Sequence, residues 1–158
     1  MQVRQIPMAQ LRGIIDEQLA HGEALLPVTG NSMWPLLAGG RDMVRLARLD
    51  RRVQAGDIAL YQKADGSYIL HRVIRLCAPE TCICCGDAQW EGEQVDEAQI
   101  IAYVTAFRRK GRWRETALSR PYRLYEHFWV HTFPARRPLL RLLRSLQRAR
   151  RGLIRGRR

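Results

Sequence analysis

Residues 56–76 read Gly56-Asp57-Ile58-Ala59-Leu60-Tyr61-Gln62-Lys63-Ala64-Asp65-Gly66-Ser67-Tyr68-Ile69-Leu70-His71-Arg72-Val73-Ile74-Arg75-Leu76. Ala55-Gly56-Asp57 is a turn signal, and residues 58–62 form a short β-type run. Asp65-Gly66 suits a tight hairpin turn, so the run over residues 68–76 returns antiparallel to the first. Similar runs lie on either side, at residues 25–29, 42–49, 82–85 and 100–107. Within 42–49 the pattern alternates, with Met43, Arg45, Ala47 and Leu49 on one face and Val44, Leu46 and Arg48 on the other. The chain therefore predicts a mainly β, antiparallel body of about six strands.

Before this body, Met8, Leu11, Ile14, Ile15 and Leu19 recur at helical spacing, which predicts a helix over 8–23 that Gly22 can stop. Beyond Lys110-Gly111 the chain becomes basic and aromatic. Tyr122, Tyr125, Phe128, Trp129 and Phe133 suit a helix with a broad apolar face, interrupted by Pro134 and Pro138. Leu139, Leu142, Leu143 and Leu146 then follow at i, i+3, i+4 and i+7. Arg141, Arg144, Arg148, Arg150 and Arg151 lie mostly between them, a basic amphipathic helix. The expected division is a β domain with its N-terminal helix over 1–110 (core 25–107) and a helical extension over 111–158. No internal repeat is visible.

The 158 residues suit one domain with a real core, and their apolar content argues against wholesale disorder. The net charge of +12 is unevenly placed. Residues 1–107 hold 10 Lys/Arg against 13 Asp/Glu, whereas residues 108–158 hold 17 against 2. A near-neutral body with a strongly basic end points to an anionic partner. A peripheral hold on an anionic membrane surface through residues 139–158 is the first expectation for that end. A docking surface for an acidic peptide or protein comes second. Specific nucleic-acid binding is not expected, because no reading motif accompanies the charge. No window approaches the roughly 20 apolar residues of a membrane-spanning helix, and charges interrupt the N-terminus where a signal peptide would need an apolar run. The expected location is the cytoplasm, with the basic helix on the inner face of the cell membrane. Cys77, Cys82, Cys84 and Cys85 lack paired zinc-site spacing and read as structural thiols. His127 and His131 lie one helical turn apart without an evident third ligand. No metal or cofactor is expected.

Two segments carry chemistry. In Thr29-Gly30-Asn31-Ser32-Met33-Trp34-Pro35, Gly30 allows close backbone approach, Ser32 follows it and Pro35 fixes the chain beyond. A serine hydroxyl needs a base to become nucleophilic, and His71 is the side chain best matched to that task near pH 7. Backbone N–H groups beside Ser32 would serve a developing oxyanion, typically worth ~3 kcal/mol per donor. Gly30, Asn31, Met33 and Pro35 are the expected substrate and oxyanion residues. A carboxylate should orient the imidazole. Asp87, after the strand that ends at Cys85-Gly86, is the first choice; Glu93 is the second, and Glu91 and Asp96 lie nearby. Lys63, beside the hairpin turn, reads as exposed surface rather than as a serine–lysine base.

Gly30-Asn31-Ser32-Met33-Trp34-Pro35 resembles the Gly-x-Ser-Met-x-Pro box of the signal peptidase and LexA-like serine peptidase clan. Gly56-Asp57-Ile58-Ala59-Leu60-Tyr61 resembles the clan's Gly-Asp-hydrophobic strand. Leu70-His71-Arg72-Val73-Ile74 resembles the His-Arg-Val box of the archaeal and endoplasmic-reticulum signal peptidases, where other members carry lysine. Gly86-Asp87 resembles the Gly-Asp-Asn box, and Ile100-Ile101-Ala102-Tyr103-Val104 the closing strand. The boxes occur in family order over residues 25–107. The resemblance implies the clan's coiled β fold and a serine endopeptidase that cuts a peptide or protein precursor after small residues, as in its short soluble bacterial members. The paired aspartates that follow the clan's Gly-Asp-Asn box are replaced by Ala88 and Gln89. That departure motivates the alternative: a catalytically weak or inactive peptide-binding accessory protein of the same fold.

Overall fold

The computed structural model describes residues 8–155, with side chains for residues 12–149. Helix α1 (Met8–Ala20) leads into β1 (Glu23–Pro27), β2 (Met43–Ala47), β3 (Ile58–Gln62), β4 (Tyr68–Cys77), β5 (Thr81–Cys85), β6 (Glu93–Asp96), β7 (Ile100–Arg109) and β8 (Arg112–Glu115). Helices α2 (Arg120–His131) and α3 (Arg136–Arg155) follow, joined by a 3-10 turn. The strands form one antiparallel sheet in the order β1-β2-β7-β3-β4-β5-β6, and β8 pairs with β7 beyond the end of β3. The predicted hairpin at residues 58–76 is its centre, with Ile58 opposite Arg72 and Gln62 opposite Tyr68.

Apolar side chains on the two faces make two cores. Ile15 and Leu19 of α1 join Val44, Leu46, Ile58, Leu60, Val104 and Phe107 on one side, together with Met33, Leu36 and Leu37 from the β1–β2 connection. Val53, Ala59, Tyr61, Val73, Cys82, Cys84 and Val95 pack on the other. Full burial of one such side chain is worth about 1.5–3 kcal/mol. Cys82 and Cys84 are thus core thiols, with sulfurs 3.6 Å apart, and all four cysteines are free. The α1 pattern holds for Ile15 and Leu19, whereas Ile14 faces solvent, and the helix stops at Ala20 before Gly22 takes φ +118°. The side chains of Met8 and Leu11 lie outside the described residues.

The expected boundary after residue 110 needs correcting. Lys110 and Gly111 both take positive φ and form the turn that brings β8 back onto β7. Beyond β8, Tyr122, Trp129, Arg136 and Leu140 are buried against the body. The described part of residues 111–155 therefore adds a strand to the sheet and packs buried side chains against the body. No helix among the described residues is long and apolar enough to cross a membrane.

Candidate active site

His71 is fixed by strand pairing. Tyr61 on β3 stands opposite Ile69 on β4, which makes His71 its diagonal neighbour on the same face. Glu93 on β6 stands opposite Cys84, and Cys84 stands opposite Val73 of β4. Two-residue periodicity thus gathers Tyr61, Lys63, His71 and Glu93. The Tyr61 hydroxyl donates to Glu93 Oε1 through a short hydrogen bond and lies 3.2 Å from His71 Nδ1. Glu93 Oε1 itself is 3.7 Å from Nδ1, and Lys63 Nζ is 2.5 Å from the other carboxylate oxygen.

A phenol has one proton to donate. With that proton on Glu93, the Tyr61 oxygen can only accept from His71, so Nδ1 carries the imidazole hydrogen and Nε2 keeps its lone pair. The protonation states agree. Burial holds His71 below its ordinary value, with Lys63 adding to the effect and Glu93 and Asp87 opposing it. Burial, and then the bond to Glu93, push Tyr61 far up, so it stays a neutral phenol. Burial acts to raise Glu93, but bonds from Lys63 and Tyr61 outweigh it and hold the carboxyl low. At pH 7 this is a neutral imidazole backed by an ionised carboxylate. The contact to Glu93 becomes an ion pair only when the ring takes up a proton.

On its other side His71 meets Gly86. A methyl group at Gly86 would sit 3.1 Å from His71 Nε2 and 2.6 Å from the Ser32 carbonyl oxygen. Glycine is thus required by close approach, and the Ser32 backbone and the free imidazole nitrogen converge on one point. Ala88 N–H donates to the Ser32 carbonyl at 2.7 Å, docking the two loops. Within the serine turn, Trp34 N–H donates to Asn31 and Leu37 N–H to Met33, whereas the N–H groups of Ser32 and Met33 donate to no described residue. No hydrogen bond joins Ser32 Oγ to His71 among the described residues; the ring's hydrogen bond runs from Nδ1–H to the Tyr61 oxygen. Gly30 borders Gly39, where the loop closes on itself, and Asn31 accepts from Gly39 N–H at 3.2 Å. The Met33 side chain is a core residue at 1% exposure, so only its backbone faces the site. Pro35 lies one turn on, half-buried.

Asp87 is a correction. Its carboxylate receives two hydrogen bonds of 2.8 Å from Arg72 and one of 3.0 Å from Tyr125, away from His71. Arg72 follows His71 on β4 and so projects to the opposite face, where both partners are fully buried. The carboxylate beside the imidazole is Glu93. Lys63, expected as plain surface, is its cation. The helices complete the arrangement. Trp129 Nε1 donates to the Asp87 carbonyl, Arg136 to the carbonyls of Gly86 and Trp129, and Arg144 to that of Ala88. Sequence reasoning missed Tyr61, Arg136 and the Arg72–Asp87 pair. Arg72 carried a usable signal, because an arginine inside an apolar strand needs a buried carboxylate.

His127 and His131 stack one turn apart, but no group of three His, Cys, Asp or Glu among the described residues is placed to hold a metal. Comparison with protein-family models and with curated proteins returns no match.

Proposed function

We propose that this protein is a serine endopeptidase acting on a peptide or protein precursor, with Ser32 as nucleophile and His71 as general base. The observation that carries the reading is the convergence of His71 Nε2 and the Ser32 backbone on Gly86, with Nδ1 held by Tyr61 and Glu93. Ser32 Oγ attacks the scissile carbonyl while its proton passes to Nε2. Glu93 stabilises the imidazolium as it forms. The N–H groups of Ser32 and Met33 receive the oxyanion. The imidazolium then protonates the leaving amine, and water releases the acyl group by the reverse proton path. On this reading the antiparallel sheet is the coiled β fold of the signal peptidase and LexA-like clan.

The test is cleavage of a small-residue peptide library by wild type, Ser32→Ala and His71→Ala. Both variants lose activity by roughly a thousandfold or more with unchanged circular dichroism. A Ser32→Ala protein that still cleaves would falsify the assignment. The peptide-binding accessory is the second reading, favoured by the missing Ser32–His71 hydrogen bond; binding of the same peptides without cleavage by any of the three proteins selects it.

A location follows from the same proposal. Leu142 and Leu146 of α3 are more than half exposed among Arg141, Arg144 and Arg148. No acidic residue occurs from 127 to 158. A helix of this kind lies in the headgroup region of an anionic bilayer, which would hold the enzyme on the cytoplasmic face of the membrane.

A further inference from the structure

The β7–β8 hairpin sets Arg109 directly opposite Arg112. Like charges facing each other across a ladder destabilise a sheet, and Lys110 in the turn and Arg114 two residues on add to the cost. The hairpin's one acidic residue, Glu115, is bound to Arg45 at 3.1 Å. None of the four cations is in an ion pair among the described residues. All four line one groove of about 530 Å³, whose apolar wall is Leu36, Phe107, Pro121 and Tyr122. The groove is joined to the candidate site at two points. Leu36 belongs to the serine turn, four residues beyond Ser32. Tyr125, also in its lining, holds Asp87 beside Gly86.

We propose that this groove binds an acidic stretch of the polypeptide substrate, with the four cations receiving carboxylates while the apolar wall takes intervening side chains. The proposal rests on the peptidase reading for the word substrate, but not for the binding itself. A peptide fits better than a compact anion, because the lining combines four cations with apolar residues and includes Leu36 of the serine turn. Unneutralised cations beside an apolar wall complement acidic residues interspersed with apolar ones. The substrate class is therefore a precursor with aspartate or glutamate close to its small-residue cleavage point.

The experiment uses the full-length Ser32→Ala protein, so that nothing is cut, and a fluorescein-labelled peptide with acidic residues flanking an alanine. Its partner probe replaces every Asp and Glu by Asn and Gln. The acidic peptide binds roughly tenfold or more tightly than the amide peptide, and its affinity falls as salt is raised. Arg112→Glu with Arg114→Glu abolishes that preference, and Arg112→Gln with Arg114→Gln reduces it. The pair Arg75→Glu and Arg48→Glu, away from the groove, preserves it. Equal affinity for the two peptides overturns the proposal, and so does equal loss in the control pair. Tighter capture of single-stranded DNA or phosphatidylglycerol vesicles with the same dependence on Arg112 and Arg114 also overturns it, by assigning the groove to phosphates. Because binding is read without turnover, a protein that never cleaves can still pass this test.

Discussion

At the residue scale, the site separates two carboxylates that look alike in sequence. Asp87 neutralises a buried arginine, and Glu93 faces the imidazole. Removing one partner of a fully buried pair leaves an uncompensated charge, so Asp87→Ala lowers folding stability by about 3–5 kcal/mol in denaturant titration. Glu93 is partly exposed, and Glu93→Gln changes stability by about 1 kcal/mol or less while cutting kcat/KM by roughly a hundredfold or more. The pH profile distinguishes the charges. A general base must be neutral, so kcat/KM falls as pH drops through the His71 pKa, below the ordinary 6.5. Glu93 favours the protonated ring, so Glu93→Gln moves that limb to lower pH. Lys63 disfavours it, so Lys63→Met moves the limb to higher pH. Limbs that stay fixed in both variants would remove Glu93 and Lys63 from the mechanism. The segments that carry Ser32 and His71 stood out because glycine, proline and the strand pattern frame them. The acid was not, because choosing between Asp87 and Glu93 requires knowing which face each presents. Arg72 decides that by following His71 on β4 and claiming Asp87 for the opposite side.

At the scale of elements, strands with alternating apolar residues announced themselves, and two without them did not. In β6 only Val95 is buried, and β8 buries none of its residues. The sheet supplies their conformation: β5 templates β6, and the Lys110-Gly111 turn folds β8 onto β7. The helix α3 was legible from its leucine spacing, yet its two faces do different work. Leu140 and Arg136 are buried in the body, whereas Leu142 and Leu146 remain outside. Replacing both outer leucines by glutamate lowers binding to phosphatidylglycerol vesicles by about tenfold or more, measured by co-sedimentation, without changing thermal stability. Undiminished sedimentation of that variant would rule out the membrane role of this helix.

At the scale of the whole molecule, the basic end is structural: Tyr122, Trp129, Arg136 and Leu140 are buried against the body. Truncation after Ala135 removes the buried Leu140 and Arg136 and strips three carbonyls of the Gly86–Gln89 loop of their arginine donors. The expected loss is about 3–5 kcal/mol in stability, read as a lowered Tm, accompanied by loss of cleavage. A truncated protein with unaltered melting would show that α3 is an appendage. A boundary drawn where composition changes, after residue 110, misses this because charge and aromatic content record what the surface meets. They say nothing about which backbone carbonyls the buried arginines will find.

The fastening of the Gly86–Gln89 loop by Arg136 and Arg144 also sets an order of events during synthesis. Ser32, His71 and Glu93 emerge from the ribosome before Arg136 and Arg144, the side chains that lock the loop between them. On the proposed reading, a nascent chain therefore holds Ser32, His71 and Glu93 without their final alignment until α3 has been made.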